Sequence, residues 1–471
     1  MRATFWLTGL TVIGQAMTWG VTILVIRLLH PQDYGLIAMA TVFIGFLTTL
    51  SEMGLGAAII QHKKISTEQC RQAAGLIILI NITLFALLLL VAPLAAHFYN
   101  EERLIQIIQV LGVNFIMISI YTVPRSMMMR KLDFRRKSII ELLGNLTNSA
   151  VVLIFALVDF GVWALVAGIV SGQIFRAIVY NIFSIDRCLP SFSFQGIRPL
   201  LMFGIHMTVT TVLWYIYSQS DVLIGGRVLG KEMIGIYAVS IQLITLPISK
   251  ITPLISQIGF SASSRMQTDI TIIKSNFLKL VRLINTISFP LFIGFVLIAK
   301  EAIPMLLGPK WQPAILPMQI LSLGMPLRFI SALFPPIVNG LGHPHINTGN
   351  MIYAILIMPA AFYIGSHWGI NGLCLAWLSA FPLLFIVICL RSLKVMQLTL
   401  WSVLRTIKIP LIGSMVMALV VIALRLLLYQ KFSSAFLVAI MIAGGAAAYG
   451  VAVFSCNREI LKEIKSFAFA R

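Results

Sequence analysis

The sequence predicts an all-α polytopic membrane protein, and three observations lead to that class. Of the 471 residues, 59% are hydrophobic and only 11% are charged. The apolar residues fall into many separate runs of roughly twenty residues, the length of helix that crosses the hydrocarbon core of a bilayer. The net charge of +20 comes from lysines and arginines that gather in the loops between these runs, where they set topology and meet anionic headgroups. A soluble globular protein and a nucleic-acid partner are therefore not expected.

A duplicated segment organises the chain. Residues 27–38 read RLLHPQDYGLIA and residues 227–238 read RVLGKEMIGIYA, with a constant offset of 200 positions. Four residues of the first copy return in the second: Arg27, Leu29, Gly35 and Ala38 recur as Arg227, Leu229, Gly235 and Ala238. The helix before each copy also carries polar residues at helical spacing: Thr11, Gln15, Thr18 and Thr22 in the first, and Thr211, Tyr215, Ser218 and Asp221 in the second. A loop and a preceding polar stripe that recur together predict an internally duplicated membrane protein.

The apolar runs predict about fourteen transmembrane helices, with ends placed to within a few residues. In chain order they are roughly 5–28, 36–58, 73–95, 104–124, 138–159, 163–185, 199–222, 234–257, 277–299, 314–337, 346–366, 371–391, 403–427 and 433–455. The first run is too long for the apolar part of a signal peptide, so we expect an uncleaved span. Runs 1–6 and 7–12 form two parallel six-helix repeats, and the last two helices are appended. The predicted domains are an N-terminal lobe (1–192), a C-terminal lobe (193–398) and the appended pair with its tail (399–471).

The basic residues predict that both termini are cytoplasmic. An even number of spans puts both ends on one side of the membrane. If the N-terminus lies inside, the inner loops and ends collect 24 lysines and arginines and the outer loops collect 8, as the positive-inside rule requires. None of the five cysteines falls in a predicted outer loop, so no structural disulfide is expected.

Two arginines lie inside predicted spans, Arg176 in helix 6 and Arg328 in helix 10. An arginine at mid-span costs about 2.5–3.5 kcal/mol, so each needs a partner or a water-filled cavity. Two interpretations stay open: a cationic lumen that binds an anionic group, or a structural pair with a helix-end carbonyl or a carboxylate. The two polar stripes are expected to face each other across a water-filled cavity. Trp214 and Tyr215 in helix 7 suit a sugar face, although helix packing explains them equally well.

The predicted outer loops contain too little chain for a catalytic domain. The adjacent Glu101 and Glu102 are typical of a solvated loop, whereas acid–base chemistry needs two carboxylates that converge on one substrate. His343 and His345 flank a proline and lack a third ligand at a recognisable spacing. No glycine-rich fragment follows a strand or carries the lysine of a phosphate-binding loop. We therefore expect no enzymatic activity, no metal and no other cofactor.

Three segments resemble a known family: RLLHPQDYG with the following GLIAMATVF, GRVLGKEMIGIYAVSIQLITLPISKITPLIS at 226–256, and GPKWQPAILPMQILSLG at 308–324. Together they are similar to the O-antigen and colanic-acid type flippases of the multidrug, oligosaccharidyl-lipid and polysaccharide exporter superfamily, and the likeness covers nearly the whole chain. The resemblance implies two six-helix lobes around a central cavity. By alternating access they would move an undecaprenyl-diphosphate-linked oligosaccharide across a bacterial inner membrane. Membrane lipids, a polysaccharide polymerase and export machinery are further partners that it implies.

A multidrug and toxin extrusion type antiporter of the same superfamily is the main alternative. It would share the fold and the repeat, but the first helix carries Gln15 and threonines and no carboxylate that could couple transport to protons or sodium. With the flippase interpretation, the cavity-facing residues become substrate contacts, and Arg176 and Arg328 would bind the diphosphate. The remaining contacts would be the two polar stripes and Trp214.

The resemblance also implies a gate and an entrance. Glu52 and Lys250 lie at a similar depth, roughly 24 Å below the outer ends of helices 2 and 8, and we expect an ion pair there that closes the inner gate. The alternative is that each charge snorkels separately to the inner interface. The densest basic cluster, residues 125–137, either contacts anionic lipids or attracts the diphosphate at the inner entrance. The entrance residues would be Arg130, Arg135 and Arg136.

Overall fold

The computed structural model describes residues 2–51, 54–61, 65–184, 189–193, 198–265, 270–428 and 432–456, and no β-strand occurs among them. The helices in chain order are α1 (Arg2–Leu28), α2 (Pro31–Ser51), α3 (Leu55–Gln61), α4 (Thr67–Tyr99), α5 (Arg103–Arg130), α6 (Phe134–Leu157), α7 (Val162–Ile182), α8 (Arg198–Arg265), α9 (Ile270–Leu307), α10 (Ile315–Ser331), α11 (Phe334–Gly340), α12 (Pro344–Ser366), α13 (Gly369–Val395), α14 (Leu400–Leu428) and α15 (Ser434–Cys456). A 3₁₀ turn, Pro309–Ala314, precedes α10.

The predicted all-α membrane class is confirmed. Within the described residues, 12 helices are long and apolar enough to cross a membrane. This number is two below the fourteen predicted, because the first predicted span is too short to be counted and the seventh and eighth are counted as one helix. The first span is a helix of which only Met17–Leu28 forms a shorter apolar stretch. The seventh and eighth spans are two helices that meet at a kink, and they are described together as α8.

A kink replaces the loop predicted between helices 7 and 8. Inside α8 only Gly230 departs from helical geometry, with φ 78° and ψ 178°. Glycine adopts this conformation readily because it has no Cβ. The chain therefore turns at one residue and continues as helix on both sides.

Two of the predicted spans are broken in their C-terminal halves. The second consists of α2 and α3, with Gly54 at φ 63° between them, and Asn81 of α4 donates to the carbonyl of Ser51 at 3.0 Å where α2 stops. The tenth consists of α10 and α11, and Pro335 and Pro336 open α11. Proline is tolerated in a first helical turn because its missing N–H has no intrahelical partner there.

Several helices extend beyond their apolar runs as far as local caps. The predicted third span began near residue 73, but α4 begins at Thr67, where Ser66 and Gln69 form a reciprocal capping box. At its other end Asn100 takes a left-handed conformation and ends the helix. Asp133 accepts from the backbone N–H of Arg136 and starts α6.

The chain divides into two compact units, Met1–Gly235 and Ile236–Arg471. In the first, α4 packs on α5 and α6 on α7; in the second, α12 packs on α13, and α14 packs on α9 and α15. The first unit thus includes the helix of the seventh predicted span. The lobe limits at residues 192 and 398 describe the duplication and stay a prediction.

Candidate functional site

The two copies of the duplicated segment meet within the first unit. A Cβ added to Gly35 would overlap the carbonyl oxygen of Lys231, and one added to Gly235 would overlap the carbonyl oxygen of Pro31. Positions 31 and 231 correspond at the offset of the repeat, so the contact is reciprocal. We call these four residues the outer crossing, because the sequence predicts that this segment lies on the outer side of the membrane. Glycine recurs in the motif because two backbones touch here and no side chain fits between them.

A partly buried ion pair lies beside the outer crossing. The Nζ of Lys231 is 2.6 Å from Oε2 of Glu101, and the Nε of Arg103 is 2.7 Å from its Oε1. The Glu101 side chain is only 13% exposed. Burial raises the pKa of Glu101, but hydrogen bonds from Arg103 and Lys231 outweigh it, and the net pKa lies below its ordinary value. Glu101 is therefore a carboxylate that joins the α4–α5 turn to the kinked part of α8.

The polar stripe of the first copy is bonded largely to its own helix. The hydroxyl of Thr18 donates to the carbonyl of Gly14, and that of Thr22 donates to the carbonyl of Thr18, both at 2.8 Å. Gln15 is half-buried, and the side chain of Thr11 lies outside the described residues. These bonds make the hydroxyls tolerable in an apolar environment.

The stripe of the second copy makes contacts outside its helix. The hydroxyl of Tyr215 is 2.7 Å from the carbonyl of Thr41 and 3.1 Å from that of Val42, both on α2. Asp221 is buried and accepts from the N–H of Val222 at 2.7 Å. Of the other members of the stripe, Thr211 is exposed and Ser218 donates to the carbonyl of Tyr215. Trp214, which lies outside the stripe, is also exposed. Whether the stripes face each other across water stays a prediction.

Arg176 lies in a polar network between α6 and α7. Its Nε is 3.0 Å from Oε2 of Glu141, and its Nη2 is 2.6 Å from Oδ1 of Asn145. The hydroxyl of Tyr180 donates to the other Glu141 oxygen at 2.8 Å. The Arg176 side chain is 13% exposed. This geometry matches the structural pair that the sequence left open as an alternative to the cationic lumen.

Arg328 has a different environment, in the second unit. Its guanidinium carbon lies 4.0 Å from the centroid of the Trp377 ring, and the indole N–H of Trp377 donates to the hydroxyl of Tyr237 at 2.7 Å. Within the part of the chain that the structure describes, no carboxylate lies at ion-pair distance from Arg328. The residue stands one turn before the break between α10 and α11. The positive charge is thus held over an aromatic face, and no described residue is its acidic partner.

The basic cluster at 125–137 is partly structural. Arg130 donates from Nη1 to the carbonyl of Ile59 at 2.7 Å, which holds the short helix α3. Arg136 pairs with Asp133 at 3.4 Å, and Arg135 is exposed. Of the predicted gate, Glu52 and the side chain of Lys250 lie outside the described residues, so the pairing stays a prediction.

Sequence reasoning did not identify Glu141, Glu101, Tyr237 and Trp377 as functional residues. Glu141 offered a usable signal, because a carboxylate just inside the predicted span 138–159, two turns into α6, needs a partner within an apolar environment. Trp377 and Tyr237 carried no signal in the sequence, because aromatic residues are common in such spans. Only the packing of α13 on α10 reveals the contact between Trp377 and Arg328.

Comparisons with known proteins agree with these observations. A family described as "Polysaccharide biosynthesis protein" matches residues 24–316. An uncharacterized membrane protein in the cps region of Klebsiella pneumoniae is 24% identical over 99% of this chain and 96% of its own length. The lipopolysaccharide biosynthesis protein WzxC of Escherichia coli is 25% identical over 75% of this chain and 72% of its own. These matches confirm the resemblance drawn from the sequence.

Two solved structures share the fold. The lipid II flippase MurJ, in an inward closed conformation, has a TM-score of 0.76 at 14% identity, and the match covers 96% of this chain and 99% of MurJ. An inward-facing multidrug resistance transporter has a TM-score of 0.62 at 14% identity, and the match covers 82% and 93% of the two chains. At such low identity both matches describe architecture alone.

Proposed function

The chain belongs to the polysaccharide biosynthesis protein family, and from that premise we propose that it is a flippase for surface polysaccharide precursors. Its substrate is an undecaprenyl-diphosphate-linked oligosaccharide, carried from the inner to the outer leaflet of a bacterial inner membrane by alternating access between the two repeats. WzxC, one of the relatives named above, is a lipopolysaccharide biosynthesis protein, and the helices that could span a membrane support a multi-pass protein. The positive-inside count supports cytoplasmic termini.

The environment of Arg328 is the observation that carries this proposal. The Trp377 ring covers one face of the guanidinium at 4.0 Å, and the bond from Trp377 to Tyr237 fixes the ring. Nη1 of Arg328 makes a long contact of 4.0 Å with Sδ of Met325, a weak partner that a diphosphate oxygen would replace. The planar edge of the guanidinium then binds two oxygens, a geometry that Arg provides and Lys does not. An arginine near mid-membrane, without a carboxylate among the described residues, is expensive unless a ligand uses it.

The helix break next to Arg328 supports the same assignment. Transporters place their substrate sites where discontinuous helices meet near the middle of the membrane. The C-terminal end of α10 lies at Ser331 and α11 begins at Phe334, so the break follows Arg328 by a few residues. We assign the diphosphate to Arg328, and Arg176 to a supporting role within its network with Glu141.

Other parts of the chain have roles that follow from alternating access. The outer crossing closes the outer side in one state and separates in the other. The polar stripes and Trp214 contact sugars, Glu52 and Lys250 form the inner gate, and Arg130, Arg135 and Arg136 lie at the inner entrance. The partners that we propose are the lipid-linked oligosaccharide, membrane lipids and the polymerase and export machinery. We propose no catalytic role.

A transport assay separates the flippase from the antiporter alternative. Purified protein is reconstituted into vesicles and given a fluorescent undecaprenyl-diphosphate oligosaccharide in one leaflet, and in parallel vesicles an organic cation. The flippase proposal expects movement of the lipid-linked sugar, loss of that movement in Arg328→Gln, and no cation efflux. Cation efflux driven by an ion gradient, with no movement of the lipid, would establish the antiporter instead.

A further inference from the structure

A second arginine of the second unit has the same kind of environment as Arg328. The Nε of Arg391, near the C-terminal end of α13, donates to Oδ1 of Asn350 at 3.0 Å. Its guanidinium carbon lies 5.1 Å from the centroid of the Tyr353 ring. Among the residues that the structure describes, no carboxylate lies at ion-pair distance from Arg391. Both arginines thus hold a positive charge against an aromatic ring, and no described residue neutralises it.

Buried polar side chains hold the Arg391 guanidinium in place. Asn350 is only 2% exposed, and its Nδ2 donates to the hydroxyl of the fully buried Ser392 at 3.3 Å. The guanidinium also lies against the backbone of Gly349, because a Cβ added to this glycine would overlap Nη2 of Arg391. The amide that fixes Nε is therefore itself fixed, and the arginine is oriented before any ligand binds.

Arg391 keeps one edge of its guanidinium for a ligand. Its hydrogen bond to Asn350 uses Nε alone, and Nη1 and Nη2 make no hydrogen bond to the described residues. The residue is half-buried. Two N–H groups on a planar edge match two oxygens of a phosphate or a diphosphate. An anion can therefore bind Arg391 without the loss of any bond that holds the side chain.

Arg391 and Trp377 lie on one face of α13. They are 14 residues apart in the sequence, which is close to four helical turns and corresponds to a rise of about 21 Å. Trp377 is the ring that contacts Arg328, so the two arginines lie at two depths along the same helix. The positive-inside count predicts that the C-terminal end of α13 is cytoplasmic, which makes Arg391 the inner of the two. Between them the same face carries three buried apolar residues, Phe381, Leu384 and Ile388.

We propose that Arg391 is a second anion-binding site, which receives the diphosphate of the lipid-linked oligosaccharide at the cytoplasmic side before that diphosphate moves to Arg328. This inference rests on the proposed function. The available Nη1 and Nη2 edge suits a first contact with the substrate, and the buried apolar residues between the two arginines keep the charged group from passing to Arg328 until the repeats move. Arg391 therefore sets the affinity for the substrate, whereas Arg328 sets the rate at which it crosses.

Initial transport rates, measured in vesicles against the mole fraction of the fluorescent lipid-linked sugar, separate the two roles. Arg391→Gln should raise the half-saturating mole fraction about tenfold, because charge-assisted bonds to the diphosphate are lost, and should leave the maximal rate unchanged. Arg328→Gln should lower the maximal rate instead. Lys394→Gln, which removes an exposed charge three residues further along α13, is the control and should change neither value. A lower maximal rate in Arg391→Gln with an unchanged half-saturating mole fraction would overturn the proposal.

A binding measurement tests the site without transport. Radiolabelled geranyl diphosphate is the probe, and it is titrated into the purified full-length Arg328→Gln variant, in which the Arg391 site remains. Addition of Arg391→Gln should weaken binding about tenfold. Addition of Gly349→Ala should weaken it as well, because the new Cβ displaces Nη2 of Arg391 while the charge is kept. Alanine favours a helix more than glycine does, so this variant reports on the site even if Arg391→Gln fails to fold.

The outcomes of the two measurements separate this inference from the proposed function. Undiminished binding of geranyl diphosphate in both Arg391→Gln and Gly349→Ala would overturn the inference. Displacement of the probe by phosphatidylglycerol at an equal concentration would also overturn it, because Arg391 would then be a general contact for lipid headgroups. Binding that depends on Arg391, in a protein that moves no lipid-linked sugar, would support the diphosphate site and count against the proposed function.

Discussion

The outer crossing and the intramembrane arginines behave in opposite ways across the duplication. At the crossing the two copies are equivalent, because Gly35 lies on the Lys231 backbone and Gly235 lies on the Pro31 backbone. The arginines are not equivalent. Arg176 in the first unit has Glu141 at 3.0 Å, whereas Arg328 in the second has the face of Trp377 at 4.0 Å. A second arginine of that unit, Arg391, bonds to Asn350 at 3.0 Å and lies 5.1 Å from the Tyr353 ring centroid.

We interpret this difference as a division between the crossing, which we propose takes part in the movement of the repeats, and Arg328, which we propose binds the ligand. Under the proposed function, the contact that both copies keep serves a movement in which both copies take part. Of Arg176 and Arg328, the arginine that pairs with a carboxylate is then structural, and Arg328, held over an aromatic ring, is the one that we assign to the ligand. Variants of the two arginines and of the two crossing glycines test that division, because each can be compared with its counterpart in the other unit or copy.

Replacement of the two arginines should give the largest contrast. Arg328→Gln removes charge-assisted bonds to the diphosphate and should slow lipid transport by about a hundredfold, while Arg328→Lys recovers little because it lacks the planar fork. Arg176→Gln should slow transport by much less, because Glu141 already uses that guanidinium. Initial rates in vesicles with matched amounts of inserted protein measure both. Equal losses in the two Gln variants would remove the distinction between the units.

Alanine at the crossing glycines should have the next largest effect, and the same effect in both copies. In Gly35→Ala and Gly235→Ala the new Cβ overlaps a backbone carbonyl, which cannot turn away as a side chain can. We expect each to destabilise the protein by about 1–3 kcal/mol and to alter the transport rate. Gly20→Ala is the matched control, since no atom lies within 4 Å of its added Cβ. Thermal unfolding in detergent measures the change, and a large effect of only one glycine would show that the copies are not equivalent.

The sequence was enough to predict most of the helices and to identify the duplicated segment, but not the contacts that its residues make. Apolar runs and their length report spans directly, and the shared glycine at positions 35 and 235 marked the segment that proves to touch its own copy. Arg176 and Arg328 were also identified, yet nothing in the pattern distinguished them. Their partners, Glu141 and Trp377, come from neighbouring helices, and helix-to-helix register is a property of packing that periodicity does not contain.

Removal of the Arg176 partner should cost stability more than transport. Glu141→Gln leaves a largely buried guanidinium without its carboxylate, and because the Glu141 side chain is 34% exposed we expect a loss of about 1–2 kcal/mol, below the range for fully buried pairs. Combination with Arg176→Gln should recover part of that loss, since no unpaired charge then remains. Asn145→Ala, which removes a neutral partner, is the control. A double variant less stable than either single would contradict the pairing.

The ion pair at the outer crossing should give the smallest effect. Lys231 and Glu101 connect two parts of the first unit at 2.6 Å, but the Lys231 side chain is 35% exposed, so Glu101→Gln should destabilise the crossing by about 1 kcal/mol or less. Because the folded pKa of Glu101 is lowered, its contribution is complete above the ordinary carboxyl value and is lost as the pH falls through the lower, folded value. Thermal unfolding of the natural sequence and of Glu101→Gln should therefore differ at neutral pH and converge in acid. Glu102→Gln, at the adjacent exposed position, should show no such convergence, and an identical pH profile for the two variants would mean that net charge, and not the pair with Lys231, acts at this turn.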